Sequence, residues 1–283
     1  MKVIKICIIG YPNSGKSTFL NNIINHKISI VTHKIHTTRD NIAGIINKKN
    51  CQLILIDTPG IIKKPKFDLE KKIINKALKE LDCNNLACIV IDIKRKLSNN
   101  HLLNISYYYN MIYKPIVILN KIDLIKNKRI LIKFAKSIKN KGFNNIFMIS
   151  SLKTNGINDL IKFFIKKSLL KRQIYNINII TTKSVKLLSE DITLEKLFIC
   201  FNQEIPYSLT VKTELWYDKG HYIIIHQIIF IIKKNQKKIL LKNKGALIKK
   251  ISTLSRNEIG NLLNKKVHLF LFIKVNKNWI KHT

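Results

Sequence analysis

Residues 10–18, Gly-Tyr-Pro-Asn-Ser-Gly-Lys-Ser-Thr, limit what this chain can become more than any other stretch. An apolar run from Val3 to Ile9 precedes them and reads as a buried strand. Phe19, Leu20, Ile23 and Ile24 follow at helical spacing, so the order is strand, glycine loop, helix. In that setting the pattern G-x-x-x-x-G-K-[ST] is a phosphate-binding loop, whose backbone N–H groups and helix N-terminus face an anion. Gly10, Asn13, Ser14, Gly15, Lys16, Ser17 and Thr18 are its candidate nucleotide contacts. Lys16 is placed to reach the β and γ phosphates, and the Ser17 hydroxyl to ligate Mg²⁺.

Downstream, apolar strand-like runs alternate with segments of helical period as far as about Lys171. Strands are predicted at 41–46, 52–56, 86–91, 116–119 and 146–149, and helices at 16–25, 71–81, 102–111, 130–140 and 157–170. Such alternation predicts an α/β fold of the P-loop kind, a mostly parallel sheet with helices on both faces. Ligands bind at the carboxyl ends of the strands in such sheets, and three strand ends here carry suitable chemistry. Asp57-Thr58-Pro59-Gly60 follows the third strand; the Asp57 carboxylate can hold Mg²⁺ through water, and Gly60 can bring its N–H to a γ-phosphate. Asn120-Lys121-Ile122-Asp123 follows the strand at 116–119, and the Asp123 carboxylate can accept two hydrogen bonds from the guanine N1–H and amino group. Asn-Lys pairs recur through this Asn- and Lys-rich chain, but the pair at 120 ends a strand and has an Asp two residues on. Ser150-Ser151-Leu152 ends the next strand, where backbone N–H groups can meet the guanine O6.

The chain has 283 residues, 46% of them hydrophobic, enough for one large or two ordinary domains. Apolar runs stay short of the roughly 18 residues of a membrane span, and the N-terminus runs straight into a strand, so a cytoplasmic location is expected. The five cysteines are scattered, most of them in apolar runs, and fit reduced, buried side chains. Net charge is +36, which favours a polyanionic partner, nucleic acid or an anionic membrane surface. From residue 233 onward Lys and Arg number fourteen against a single acid, Glu258. Residues 172–183 read as an irregular polar linker, and 184–283 as helix, strand, strand, helix, helix, strand.

The motif set at residues 10–18, 57–60, 120–123 and 150–152 resembles that of the translation-factor-like GTPases. Residues 184–283 resemble a type II KH domain, and the two together resemble the Era-like GTPases, including Glu204-Ile205-Pro206-Tyr207-Ser208 and Lys274-Val275 with Trp279. The resemblance implies a GTP-hydrolysing switch in 1–171 and an RNA-binding domain in 184–283. It implies as partners the 3′ end of small-subunit (16S) ribosomal RNA and the small subunit during assembly; a monomer is expected, and the charge allows weak peripheral association with anionic membrane. His36-Thr37-Thr38-Arg39-Asp40 looks like the family's switch segment, so Thr38 is expected to ligate Mg²⁺ beside Ser17 and Asp57. Lys16, Thr38 and Gly60 are the expected catalytic residues. Ile61 stands where Ras-like enzymes place a water-orienting Gln, and the family implies that K⁺ held by Asn13 supplies the missing charge. Lys242-Asn243-Lys244-Gly245, with Lys249, matches the RNA clamp, but Lys242 replaces the first glycine of Gly-x-x-Gly. If that position needs a positive φ or a very close backbone approach, a lysine there costs about 1 kcal/mol and obstructs RNA, while its ammonium adds a phosphate contact. The family also has a tail beyond the position of Thr283, so its RNA contacts are expected to be missing.

Overall fold

The computed structural model describes residues 1–32, 42–59, 86–94, 115–200 and 209–276. The predicted helices at 71–81 and 102–111, Thr38 with its segment 36–40, Gly60, Ile61, the stretch 204–208 and Trp279 lie outside the described residues. Two compact units result: Met1–Ser29 with Thr38–Thr182, and Ile30–Thr37 with Lys183–Thr283.

In the first unit the described elements are β1 (Lys2–Gly10), α1 (Lys16–Ile24), β2 (Ile42–Lys48), β3 (Cys51–Asp57), β4 (Leu86–Asp92) and β5 (Ile116–Asn120). They are followed by α2 (Lys128–Lys139), β6 (Ile146–Met148), α3 (Ile157–Lys167) and β7 (Leu169–Leu170). The sheet runs β2-β3-β1-β4-β5-β6, with β7 joined to β1. It is parallel except that β2 lies antiparallel to β3 and β7 antiparallel to β1. Strands covered on both faces need continuous apolar sequence rather than alternation, and all of β3 and β5 is buried. Ile9, Ile89, Val117, Leu119, Ile138 and Phe143 form one core cluster of this unit.

Two segments differ from expectation. The helix predicted through Leu170 stops at Lys167. Ser168 turns to extended geometry, its hydroxyl and its N–H both donating to the Ile165 carbonyl, and Leu169–Leu170 pair with Lys2–Val3. Their apolar side chains, 63% and 81% exposed, look like a helix continuation, but their backbone groups complete a ladder instead. Residues 172–183 are irregular as expected, yet fastened. The buried Gln52 side chain accepts from the Ile174 and Tyr175 N–H groups (3.1 and 3.0 Å) and donates to the Tyr175 carbonyl at 2.8 Å. The Ile45 N–H donates to the Ile180 carbonyl, and the Thr181 hydroxyl to the Ala43 carbonyl. The segment thereby covers β2, an edge strand that would otherwise leave a row of unpaired groups.

The second unit follows the expected order: α4 (Val185–Cys200), β8 (Leu209–Asp218), β9 (Tyr222–Ile231), α5 (Lys234–Leu263) and β10 (Lys266–Val275). β8 and β9 form a hairpin through Gly220, whose φ of +81° suits glycine, and β10 runs parallel to β9. The parallel pair requires a crossover, which α5 provides. α5 is broken in the middle: Lys242 is extended (φ −56°, ψ 151°), and Asn243, Lys244 and Gly245 are left-handed (φ 54°, 54° and 78°). The expected strain at Lys242 is therefore absent; the non-glycine residues that bear positive φ are Asn243, which tolerates it, and Lys244. Inside, Leu197, Phe198, Val211, Ile229, Leu240 and Ile251 make a core that Ile30 joins. The sheet alternates: Ile223, Ile225, Gln227, Ile229 and Ile231 of β9 are buried, and the other five residues face away.

Candidate nucleotide site

The phosphate loop owes its shape to two close approaches. A Cβ on Gly10 (φ +149°) would lie 2.4 Å from the Val90 carbonyl oxygen, and one on Gly15 (φ +93°) 2.3 Å from Asn120 Nδ2. Asn13 also has positive φ, 64°. The Lys16 ammonium donates to the carbonyls of Gly10 (3.1 Å) and Tyr11 (3.0 Å), curling back over the loop. It is only 6% exposed, and burial lowers its pKa to about 8 against the opposing attraction of Asp57. A cation held this way is poorly solvated and suited to a polyphosphate.

Asp57 is fully buried, and its Oδ2 accepts from the Ser17 hydroxyl (2.8 Å) and from the Ser29 hydroxyl (2.9 Å). A hydroxyl at the start of α1 and a carboxylate at the end of β3 thus meet at one point. Hard oxygen donors of this kind fit Mg²⁺. Thr58 anchors the same strand end, its hydroxyl donating to the Ile8 carbonyl at 2.8 Å. Thr38 and Gly60, the other expected γ-phosphate contacts, fall outside the described residues.

On the side expected to hold the base, Asn120 joins three loops. Its amide nitrogen donates to the Ser14 carbonyl (2.9 Å), and its oxygen accepts from the N–H groups of Lys121 (2.8 Å) and Ser151 (2.9 Å). The Lys121 ammonium donates to the Asn13 carbonyl and to Asp92 Oδ2, each at 2.7 Å. Lys121 takes a left-handed φ of 66° to do so. The Ser150 hydroxyl donates to Asp123 Oδ1 at 2.5 Å and accepts from the Lys153 N–H, fixing the carboxylate. Each carboxylate oxygen has two lone pairs, so capacity remains for guanine.

The expectation that the Ser150, Ser151 and Leu152 N–H groups meet the base is narrowed. Ser150 N–H donates to the Asn155 carbonyl and Ser151 N–H to Asn120, which leaves Leu152 as the available donor of the three. Sequence reading missed Asp92, Ser29 and Asn22, whose side-chain amide donates to the Ser151 carbonyl. Asp92 had a signal: it ends β4 directly beside Asn120 in register. Ser29 and Asn22 had none, Asn22 being an ordinary polar residue of α1 and Ser29 one just past its end. In the second unit, Lys242, Asn243, Lys244 and Lys249 are exposed around the break in α5, and Gly245 is half-buried.

A phosphate loop, a carboxylate at the strand beside it and an Asn-Lys-x-Asp loop on a mostly parallel sheet define a P-loop GTPase, here followed by a helix-and-sheet unit with a broken-helix turn. Residues 5–121 match the family model of 50S ribosome-binding GTPases, and residues 204–280 match that of the KH domain. The chain is 39% identical to GTPase Era of Rickettsia akari over 99% of its own length and 96% of the relative's. It is 37% identical to GTPase Era of Ehrlichia canis over 97% and 93%. It belongs to the Era family of GTPases. The crystal structure of a single-residue variant of Aquifex aeolicus Era bound to GDP and aluminium fluoride superposes with a TM-score of 0.93 at 29% identity, covering 99% of this chain and 96% of that one. Era in complex with MgGDPNP and nucleotides 1506–1542 of 16S ribosomal RNA also gives 0.93, at 30% identity over the same shares.

Proposed function

We propose that this protein is a GTP-driven switch that binds the 3′ region of small-subunit ribosomal RNA and assists assembly of that subunit. The observation that carries the reading is the Asn120 junction. One buried side chain ties the phosphate loop to the two loops around Asp123, in a chain whose whole length aligns with GTPases of the Era family. Resemblance to an Era structure holding both MgGDPNP and an RNA fragment supplies the choice of RNA.

In this reading Lys16 and the loop N–H groups of residues 13–18 bind the phosphates, and Asp123 accepts the guanine N1–H and amino protons. ATP lacks that donor edge and would leave the carboxylate unpaired. Ser17, Asp57 and Thr38 hold Mg²⁺, which when bound neutralises charge on the β and γ phosphates. Ser29 positions Asp57. Gly60 offers its N–H to the γ-phosphate, and Asn13 holds K⁺ in place of an arginine finger. Lys242, Asn243, Lys244, Gly245 and Lys249 contact RNA phosphates. The division of labour places GTP on 1–171 and RNA on 184–283, in a cytoplasmic monomer with weak affinity for anionic lipid. Among the described residues no helix is long and apolar enough to cross a membrane.

Unstimulated turnover is expected at about 10⁻⁴ to 10⁻² s⁻¹. Purified protein assayed with Mg²⁺ and K⁺ must show GTP hydrolysis that Lys16→Ala removes; GTP binding without such hydrolysis would reduce the protein to a nucleotide-sensing RNA scaffold. Crosslinking in extract, followed by sequencing of the attached RNA, must return the small-subunit 3′ end. Asn13→Ala must erase any preference for K⁺ over Na⁺ in hydrolysis.

A further inference from the structure

The outer face of the second unit's sheet carries chemistry that the clamp does not use. β10 is an edge strand, and its outward residues are Lys266, His268, Phe270, Phe272 and Lys274, all exposed. Phe270 and Phe272 are 49% and 50% exposed, high for large apolar rings in a globular domain. The neighbouring strand places Tyr222, Ile224, His226, Ile228 and Phe230 on the same face. His226 packs edge-on against Phe270 (centroids 5.0 Å apart) and tilted against Phe272 (5.6 Å), and Tyr222 meets His268 edge-on at 5.4 Å. The rings therefore support one another without covering one another.

Charge selects the partner. Neither β9 nor β10 contains an Asp or Glu, and a lysine stands at each end of the outward row of β10. Acids on β8, the far strand, are Glu214 and Asp218, and Asp218 is paired with Lys265. Aromatic faces bounded by cations are how proteins hold unpaired nucleic-acid strands: rings stack on bases while lysines meet phosphates. Outward residues along a strand repeat every ~6.6 Å, room for one ring per nucleotide when bases are drawn apart.

From this placement we infer that the β9–β10 face is a second RNA-binding surface, a stacking platform for unpaired bases. It rests on the RNA-binding reading above and extends the bound strand beyond the ~4 nucleotides that a KH clamp holds.

The test uses the full-length protein with Mg²⁺ and GTP and two single-stranded RNA probes of mixed sequence, one of about 4 nucleotides and one about three times longer. The double variant Phe270→Ala/Phe272→Ala is expected to bind the longer probe roughly ten- to a hundred-fold more weakly. It should bind the short probe as the wild type does and melt at the same temperature. Phe270→Tyr/Phe272→Tyr should restore the long-probe affinity, because a ring and not a phenylalanine is what stacking requires. An alanine variant that holds the longer probe undiminished, or that loses both probes equally, overturns the platform while leaving the clamp in place. The same follows if the variant keeps its RNA affinity but no longer sediments with phosphatidylserine vesicles, which would make the face a lipid contact. A wild-type protein that binds neither probe overturns the RNA-binding reading itself.

Discussion

The two units present the groups proposed to meet phosphate in opposite ways. In the first, the polar groups are buried and already bonded to one another: Lys16 to two loop carbonyls, Asp57 to two serines, Asn120 to three loops. In the second, the groups suited to nucleic acid are exposed lysines around a left-handed turn and half-exposed rings on an open sheet face. Preorganised, buried groups lose little entropy on binding and discriminate strongly between ligands, since a wrong ligand leaves them unpaired. Exposed cations bind through counterion release, which gives affinity with little discrimination and a steep dependence on salt. The base-reading end of the GTP site and the clamp should therefore fail differently when altered.

The largest effect is expected at Asp123. Asp123→Asn should collapse a discrimination of roughly 10⁴-fold between GTP and ATP, read by competition of each against a fluorescent guanine nucleotide. If ATP is already accepted by the wild type, the preorganised end of the comparison is not selective. Next, Lys16→Ala should lower GTP turnover about 10²- to 10³-fold under single-turnover conditions while leaving RNA affinity without nucleotide unchanged.

Lys16 also predicts a stability effect of definite sign. Its folded pKa, about 8, lies below the ordinary value of 10.5, so between those limits the unfolded chain binds more protons than the folded one. Nucleotide-free protein should gain stability as pH rises from about 8 to 10.5, by up to about 3 kcal/mol. Below pH 8 the full cost of burying the ammonium is present. Lys16→Met should remove this pH dependence from denaturant titrations and be more stable than the wild type at neutral pH.

Asn120→Ala removes three hydrogen bonds from a buried position and should cost about 3 kcal/mol, seen as a lowered Tm and a weakened response to GTP. The smallest effects belong to the exposed turn. Lys244→Gly should relieve left-handed strain and stabilise by about 1 kcal/mol, yet reduce the slope of log affinity for RNA against log salt by about 1. A Lys244→Gly variant with the wild-type salt slope would remove Lys244 from the clamp.

Much of the candidate GTP site is legible in the sequence, because the residues proposed for it stand at fixed offsets from strand ends. Gly10 through Thr18, Asp57 and Asn120 through Asp123 each follow an apolar run, and hydrophobic period alone locates those runs. The partners that hold them could not be read. Asp92 directly follows the apolar run at 86–91, but only strand register sets it beside Asn120, and Ser29 belongs to the site through loop packing with no local pattern to mark it. The Ser150–Leu152 loop shows the boundary well: its position follows from sequence, but which N–H groups remain for a base depends on Asn120 and Asn155 reaching across to take the others.

The amino-acid sequence by itself determined the order of the described elements other than β7, the P-loop class of the first unit and the helix, strand, strand, helix, helix, strand order of the second, since local periodicity and turn chemistry act over a few residues. Tertiary structure alone decided the rest. It ended α3 at Ser168 by offering Leu169–Leu170 a strand to pair with, and it fastened residues 172–183 to β3 through the buried Gln52 and to β2 through the carbonyl and N–H groups of Ala43 and Ile45. It moved the backbone strain of the clamp from Lys242 to Asn243 and Lys244, and it aligned Lys266, His268, Phe270, Phe272 and Lys274 beside β9 on one open face. The pairing of Leu169–Leu170, the fastening of residues 172–183 and the alignment of β10 with β9 each depend on backbone groups or side chains distant in sequence satisfying one another, a requirement that no window of neighbouring residues contains.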